Sequence, residues 1–220
     1  MHDSKDYIVK KFLKNLKEIV EDTETSHKVA VLMIDNSKED VFANWVSTTT
    51  PYDIVRNHWK LETGRLRQCA CLNEIRRCVI ENKFDLLFSL EADILPNKDI
   101  IYHLIEAMQK NKADACSAVY LLNHKRGIPC LTKKIVIANN NTFPAVMHPL
   151  GYVDGEIKEI ENGAGLGCVL IKRNVLEKIK FRSERDHADT YFWHDFHQYK
   201  FKGIVDCSQI AKHYPGVERK

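Results

Sequence analysis

The run Phe84-Asp85-Leu86-Leu87-Phe88-Ser89-Leu90 is almost wholly apolar and stops abruptly at Glu91-Ala92-Asp93. A strand that apolar is buried on both faces, so a layer of helices must cover each side of its sheet. The run Lys28-Val29-Ala30-Val31-Leu32-Met33-Ile34 has the same character and ends in Asp35-Asn36-Ser37. Residues 51–56 read as a second short strand, Ala115 to Tyr120 as another, and Cys168 to Lys172 as another. Helical spacing separates them. Ile8, Phe12, Leu16, Ile19 and Val20 recur across residues 5–21 with lysines on the outer face, and Leu72, Ile75, Cys78, Val79 and Ile80 across residues 71–82. Ser37 with Asp40 makes a capping box for a helix through Trp45. Pro96 and Asp99 start a helix ending near Asn111, and one more begins near Asn174. The polar stretch 57–67 reads as an active-site loop. Strand and helix in alternation predict an α/β three-layer sandwich around a mixed, mostly parallel sheet.

Residues 123–162 interrupt that rhythm with Pro129, Pro144, Pro149, Gly151 and Gly155, and read as an excursion over the sheet. With 220 residues and no repeat, the chain is expected to form one domain. Net charge is only +3, from 33 basic and 30 acidic residues, which argues against nucleic acid as a partner. The seven cysteines are scattered, lack a CxxC pair and sit mostly in apolar segments. They read as buried free thiols in a reducing compartment, so a soluble cytoplasmic protein is expected. The longest clean apolar run, Leu166 to Ile171, is too short to cross a bilayer.

Sheets of this kind bind ligands beyond the C-terminal ends of their strands, where Glu91 and Asp93 stand. In an extended chain residues i and i+2 share a face, so the two carboxylates can converge on one hard cation, Mn²⁺ or Mg²⁺. A cation there neutralises charge building on a diphosphate leaving group. Gly163, Gly165 and Gly167 precede a strand and do not open a helix, which disfavours a dinucleotide fingerprint and suggests close backbone approach to substrate.

Five segments, in order, resemble the motifs of GT-A fold glycosyltransferases, family 2 and related small viral and microbial enzymes being the nearest in shape. Asn73-Glu74-Ile75-Arg76 followed by residues 84–96 is similar to the segment that carries their DxD motif. Ala113 to Tyr120 is similar to the next strand, and Gly163 to Arg173 to a Gly-rich segment near the acceptor. Asp189-Thr190-Tyr191-Phe192 falls where those enzymes carry EDxxF, with Ala188 in place of the Glu. Val205-Asp206-Cys207 followed by His213 resembles their closing vD…H pattern.

The resemblance implies a GT-A, Rossmann-like domain with a nucleotide-sugar half at residues 28–122 and an acceptor-side half at 123–214. It implies a metal-dependent hexosyl- or pentosyltransferase moving sugar from a UDP- or GDP-sugar to a hydroxyl of a glycan or glycoprotein. If the chain is viral, a host cytoplasm is its expected home. Asp93, Glu91 and His213 would be metal ligands, Glu91 standing where relatives carry Asp. Asp189 would be the general base of an inverting transfer, with Asp186 and Asp195 as substitutes. Val31 to Ile34 with Asp53 would form the nucleotide-base pocket, Asn73 or Arg76 would lie near the diphosphate or base, and Glu91-Ala92-Asp93 would receive the nucleotide-sugar. Trp45, Trp59 and Trp193 are candidates for stacking. Two other readings stand beside this one. A sugar-phosphate nucleotidyltransferase shares the strand-end acids, but the residues after the first strand, Ile34 to Glu39, contain no glycine. A non-catalytic carbohydrate- or nucleotide-binding module would keep the fold without turnover.

Overall fold

Amphipathic spacing at the N-terminus yields helix α1 (Val9–Thr23), which buries Val9, Phe12, Leu13, Ile19 and Val20 and leaves Lys10, Lys11, Lys14 and Lys17 in solvent. The structure, a computed structural model, describes residues 7–37, 40–57, 63–135, 145–184 and 186–215. The first apolar run forms β1 (Leu32–Asp35), shorter than its sequence suggests. Helix α2 (Asp40–Thr49) then crosses to β2 (Asp53–Arg56). The two strands pair in parallel, Leu32 opposite Asp53 and Asp35 opposite Arg56. The Ser37 hydroxyl donates to Asp35 Oδ1 at 2.7 Å, and residues 38–39, across which the expected capping box would close, lie outside the described residues.

Helix α3 (Gly64–Glu81) begins seven residues earlier than the apolar spacing indicated, capped by Thr63, whose side chain accepts from Leu66 N at 3.2 Å. Residues 64–67 are therefore helix and not loop; residues 58–62, with Trp59, lie outside the described chain. Next come β3 (Leu86–Leu90), β4 (Ile94–Leu95), α4 (Ile100–Asn111) and β5 (Ala115–Val119). The excursion carries β6 (Leu121–Asn123), β7 (Ile128–Pro129), β8 (Leu131–Ile135), β9 (Ala145–Met147) and β10 (Ile157–Glu159). The chain closes with β11 (Gly163–Ala164), β12 (Cys168–Lys172), α5 (Arg173–Lys178), α6 (Ala188–Gln198), β13 (Gly203–Ile210) and β14 (Lys212–His213).

The central sheet has the order β10-β13-β5-β12-β3. It is mixed, as expected, but its ladders are mostly antiparallel where mostly parallel ones were expected: β3, β5 and β13 run one way, with β12 and β10 antiparallel to their neighbours. Because β12 separates β3 from β5, the direct parallel ladder within this sheet is β5–β13. The main core packs against it, with Leu104, Cys116, Val119, Val169, Ile171, Phe192 and Phe196 essentially out of solvent. A second apolar cluster joins α1, α2 and β1 through Phe12, Met33, Phe42 and Val46. Leu90 and Ala92 pack against that second cluster, so the end of β3 is wedged between the two.

All seven cysteines are free, and five are buried. Burial pushes the Cys116 and Cys168 thiols well up and Cys130 up to about 12, so they act as small apolar groups. Among the described residues no helix is long and apolar enough to cross a membrane.

Candidate active site

At the end of β3 the chain stays in the sheet for one more step, Glu91 N donating to Gly167 O at 2.9 Å, and then turns, Ile94 N donating to Glu91 O at 3.0 Å. Glu91-Ala92-Asp93 is thus a turn between β3 and β4, not the extended i, i+2 arrangement the sequence suggested. The short ladder of β4 with β14 sets Ile94 opposite His213, and Tyr214 N donates to Asp93 O at 2.8 Å. This ladder carries His213 across 120 residues to Asp93, with Nε2 3.6 Å from Oδ2. Asp93 is buried. His213 Nδ1 lies 2.7 Å from Leu121 O; a carbonyl only accepts, so Nδ1 carries a proton and Nε2 is the nitrogen turned to Asp93. The Asp93 carboxylate raises the His213 pKa in spite of burial.

Glu91 stands beside this pair. Its Oε1 accepts from Gln68 Nε2, in the first turns of α3, at 2.9 Å. Among the described residues no three His, Cys, Asp or Glu side chains converge tightly enough to hold a metal on their own. The protein offers a carboxylate and an imidazole, a donor set suited to a divalent cation that shares its shell with substrate phosphates. The pair fits that role; Glu91 does not complete a protein-only cage.

The Gly-rich segment forms the neighbouring wall. A methyl group at Gly165 would overlap the Tyr120 hydroxyl and lie 2.7 Å from Cζ. At Gly167 it would overlap Ile94 Cδ1 and come within 3.0 Å of both Glu91 Oε2 and Tyr120 Oη. Both positions therefore need glycine for space. We expect Gly165→Ala to destabilise the fold by about 1–3 kcal/mol through overpacking, read as a lower melting temperature. An unchanged melting temperature would show that Tyr120 can move aside.

Asp189 lies in the first turn of α6 and lines a cavity of about 250 Å³ with Asn162, Gly163, Gly165, His187 and Thr190. Burial raises its pKa above the ordinary carboxylate value, although His187 and a hydrogen bond from Thr190 N, at 3.0 Å, act the other way. Asp186 lines the same cavity. Asp195 does not: it binds Arg182 at 2.7 and 3.0 Å, and that guanidinium lies 4.5 Å from the Tyr191 ring centroid. Trp193 is core, its Nε1 donating to Ala164 O at 2.6 Å, and Trp45 packs on the second cluster beside Phe42.

Asp53, expected in a base pocket, is exposed at the start of β2. Three residues of strand, roughly 10 Å, separate it from the C-terminal end of β2. That end carries Arg56, beside Asp35 at the end of β1. Fully buried Asp35 lies 3.2 Å from Arg56 Nε, which also reaches Asp40 through Nη1 at 2.9 Å. Asn57 N donates to Asp35 O at 2.9 Å. The sequence reading missed this cluster. Its signal was the acid at the end of an apolar run, the pattern that drew attention to Glu91. Of Val31 to Ile34, Met33 and Ile34 are buried, and Met33 belongs to the second cluster.

Asn73 and Arg76 are not brought to the triplet. They sit roughly 7 and 12 Å further along α3 than Gln68. Asn73 donates to Phe181 O at 2.7 Å and accepts from Phe181 N at 3.1 Å. Arg76 Nε donates to the carbonyls of Leu176 and Ile179 at the end of α5. Both tie α3 to α5 and the segment after it. Asn73→Ala is expected to cost about 1–3 kcal/mol in denaturant melts by orphaning the Phe181 main chain, with nucleotide affinity unchanged. Weakened nucleotide binding in the folded variant would return Asn73 to the site.

No protein-family profile matches this sequence, and no curated protein matches it. Solved structures do share its fold. The chain is similar to A197 from STIV over 85% of its length and 86% of that chain, with 21% identity and a TM-score of 0.54. It is similar to GalNAc-T7, solved with UDP, GalNAc and Mn²⁺, over 92% of its length and 41% of that chain, with 10% identity and a TM-score of 0.61. It is similar to S. aureus TarS 1-349, solved with UDP-GlcNAc, over 97% of its length and 57% of that chain, with 12% identity and a TM-score of 0.55. The chain thus spans about half the length of those two enzymes. At such identities the likeness establishes the fold: a GT-A-like, Rossmann-type α/β sandwich with a mixed central sheet.

Proposed function

We propose that this chain is a glycosyltransferase that moves a sugar from a UDP- or GDP-sugar to a hydroxyl of a glycan or glycoprotein, with inversion. The observation that carries the reading is the pairing of buried Asp93 with half-buried His213, 3.6 Å apart beyond the C-terminal end of β3.

Asp93 and His213 would hold Mn²⁺ or Mg²⁺, which when bound neutralises charge on the departing diphosphate. Glu91-Ala92-Asp93 would receive the nucleotide-sugar, with Gln68 fixing Glu91. Asp35, Ser37 and Arg56 replace Asp53 as the groups proposed to face the nucleoside, since they occupy the strand ends. Asp189 would take the proton from the acceptor hydroxyl as its oxygen bonds to the anomeric carbon. The bond from that carbon to the diphosphate oxygen would break as the new one forms, its electron pair leaving with the diphosphate. The Asp189 cavity, below the range of about 300–1,000 Å³ for drug-sized ligands, suits a single acceptor group. Both halves, 28–122 and 123–214, would act as one domain, and the buried free thiols suit a reducing, cytoplasmic setting.

The test is incubation with a panel of UDP-, GDP- and CMP-sugars plus Mn²⁺, following donor hydrolysis and transfer to glycan acceptors. Release of nucleotide that requires a divalent cation supports the reading. Pyrophosphate formed from a nucleoside triphosphate and a sugar phosphate would replace it with a nucleotidyltransferase. Tight nucleotide binding with no turnover on any acceptor would replace it with a binding module.

A further inference from the structure

Tyr120 reaches both halves of the candidate site. It follows β5, and its main chain is clamped to Cys130, Cys130 N donating to Tyr120 O at 2.8 Å and Tyr120 N pointing at Cys130 Sγ at 3.4 Å. Its side chain is 4% exposed, so its position is set by packing and not by solvent. The ring meets the His213 imidazole edge to face, with centroids 5.5 Å apart at 69°. The next residue supplies the carbonyl that binds His213 Nδ1. Tyr120 and Leu121 thus fix the imidazole together, one by shape and one by a hydrogen bond.

The far end of the same side chain does a different job. Its hydroxyl accepts from Gly167 N at 3.3 Å and fills the space that glycine at 165 and 167 leaves open. Gly165 N in turn donates to Cys130 O at 2.8 Å. Gly163 and Gly165 line the Asp189 cavity, so the phenol oxygen sets the wall of that cavity from behind. Burial, together with Cys130, Glu91 and Asp189, holds the phenol protonated far above its ordinary range. It is therefore a neutral prop throughout the working pH range.

We infer that Tyr120 is a positioning residue with two separable functions: its ring holds His213 in the orientation that faces Asp93, and its hydroxyl seats the Gly165–Gly167 wall beside Asp189. The inference rests on the transferase reading given above. It differs from a purely structural role in that the two functions can be removed one at a time.

The experiment compares the wild-type chain with Tyr120→Phe and Tyr120→Leu. Mn²⁺ binding in the presence of UDP is followed by electron paramagnetic resonance, and transfer and donor hydrolysis by nucleotide release. Y120F keeps the ring, so its Mn²⁺ Kd should match wild type while the ratio of transfer to hydrolysis falls about 10-fold or more. Y120L loses the ring, so its Mn²⁺ Kd should weaken about 10–100-fold, the effect expected for an outer-shell partner of a metal ligand. A Y120L that binds Mn²⁺ as wild type does overturns the inference. So does a Y120F with an unchanged ratio, which decides the matter alone if circular dichroism finds Y120L unfolded. A wild-type chain that neither binds Mn²⁺ nor hydrolyses any donor overturns the transferase reading and this inference with it. Activity with the two variants unaltered overturns this inference only.

Discussion

Asp93→Asn is expected to lower donor hydrolysis and sugar transfer by about 10²–10³-fold, the loss typical of deleting one preorganised electrostatic contact to a developing charge. The substitution is nearly isosteric. Asp93 O still accepts from Tyr214 N, the β4–β14 ladder needs only main chain, and Ala92 still packs on the second cluster. What changes is the charge: the amide presents one neutral oxygen where the carboxylate presented an anion toward His213 Nε2. Calorimetry of Mn²⁺ in the presence of UDP should show the affinity lost in parallel with turnover. Glu91→Gln should cost less, because Glu91 already has Gln68 as a partner and stands outside the Asp93–His213 pair. If Asp93→Asn turned over normally while Glu91→Gln did not, the ligand assignment would be reversed.

Much of this site was legible because it is written in local sequence. An apolar run ending in acids marks a strand end, and it located both Glu91-Ala92-Asp93 and, had it been applied twice, Asp35; it misled on burial, since β3 is an edge strand of the central sheet with only Leu87 of its five residues buried. Strand polarity was the missing step for Asp53. In a parallel pair both C-terminal ends lie on one side, so the last residue of β2 faces the site and the first cannot. Asn73 and Arg76 were misjudged for a different reason. Sequence states that a side chain is polar but not whether main-chain atoms a hundred residues away already use it, and the carbonyls at the end of α5 do. Strands β4 and β14 have two residues each, too few for any periodicity, yet they are what brings His213 to Asp93. The reading of His213 rested on motif order; its physical cause is that small ladder. In β13 the buried Asp206 interrupts an apolar run and turns back to accept from Ser208 N and Oγ at 2.9 and 2.6 Å, which hid an eight-residue strand.

Asp189→Asn should remove about 10²–10⁴-fold of the transfer rate, the contribution of a positioned general base, while raising stability at neutral pH. The two effects have one cause. Burial raises the pKa of Asp189, so the folded protein holds this proton more tightly than the unfolded chain does. Between the unfolded and folded pKa values the native state binds more protons, and stability falls as pH rises through that window. Once the pH exceeds the unfolded pKa, keeping this carboxyl inside the protein carries a net cost, and a neutral amide of the same shape relieves it. The melting temperature of Asp189→Asn should therefore exceed that of wild type at pH 7 and converge with it on acidification below the unfolded carboxylate pKa. Catalysis has the opposite sign, because only the anion accepts the acceptor's proton. Wild-type kcat/KM for transfer should rise with pH along a limb displaced above the ordinary carboxylate range, and that limb should vanish in the variant. Donor KM should stay put, since Asp189 lines the cavity proposed for the acceptor, whose lining includes neither Asp93 nor His213. A variant that is less stable than wild type at pH 7 would mean that the Asp189 carboxylate has a partner that compensates for its burial, as structural acids do. A variant that is more stable yet transfers sugar at the wild-type rate would leave Asp189 an unused buried acid and pass the proton to Asp186, the other carboxylate on the same cavity.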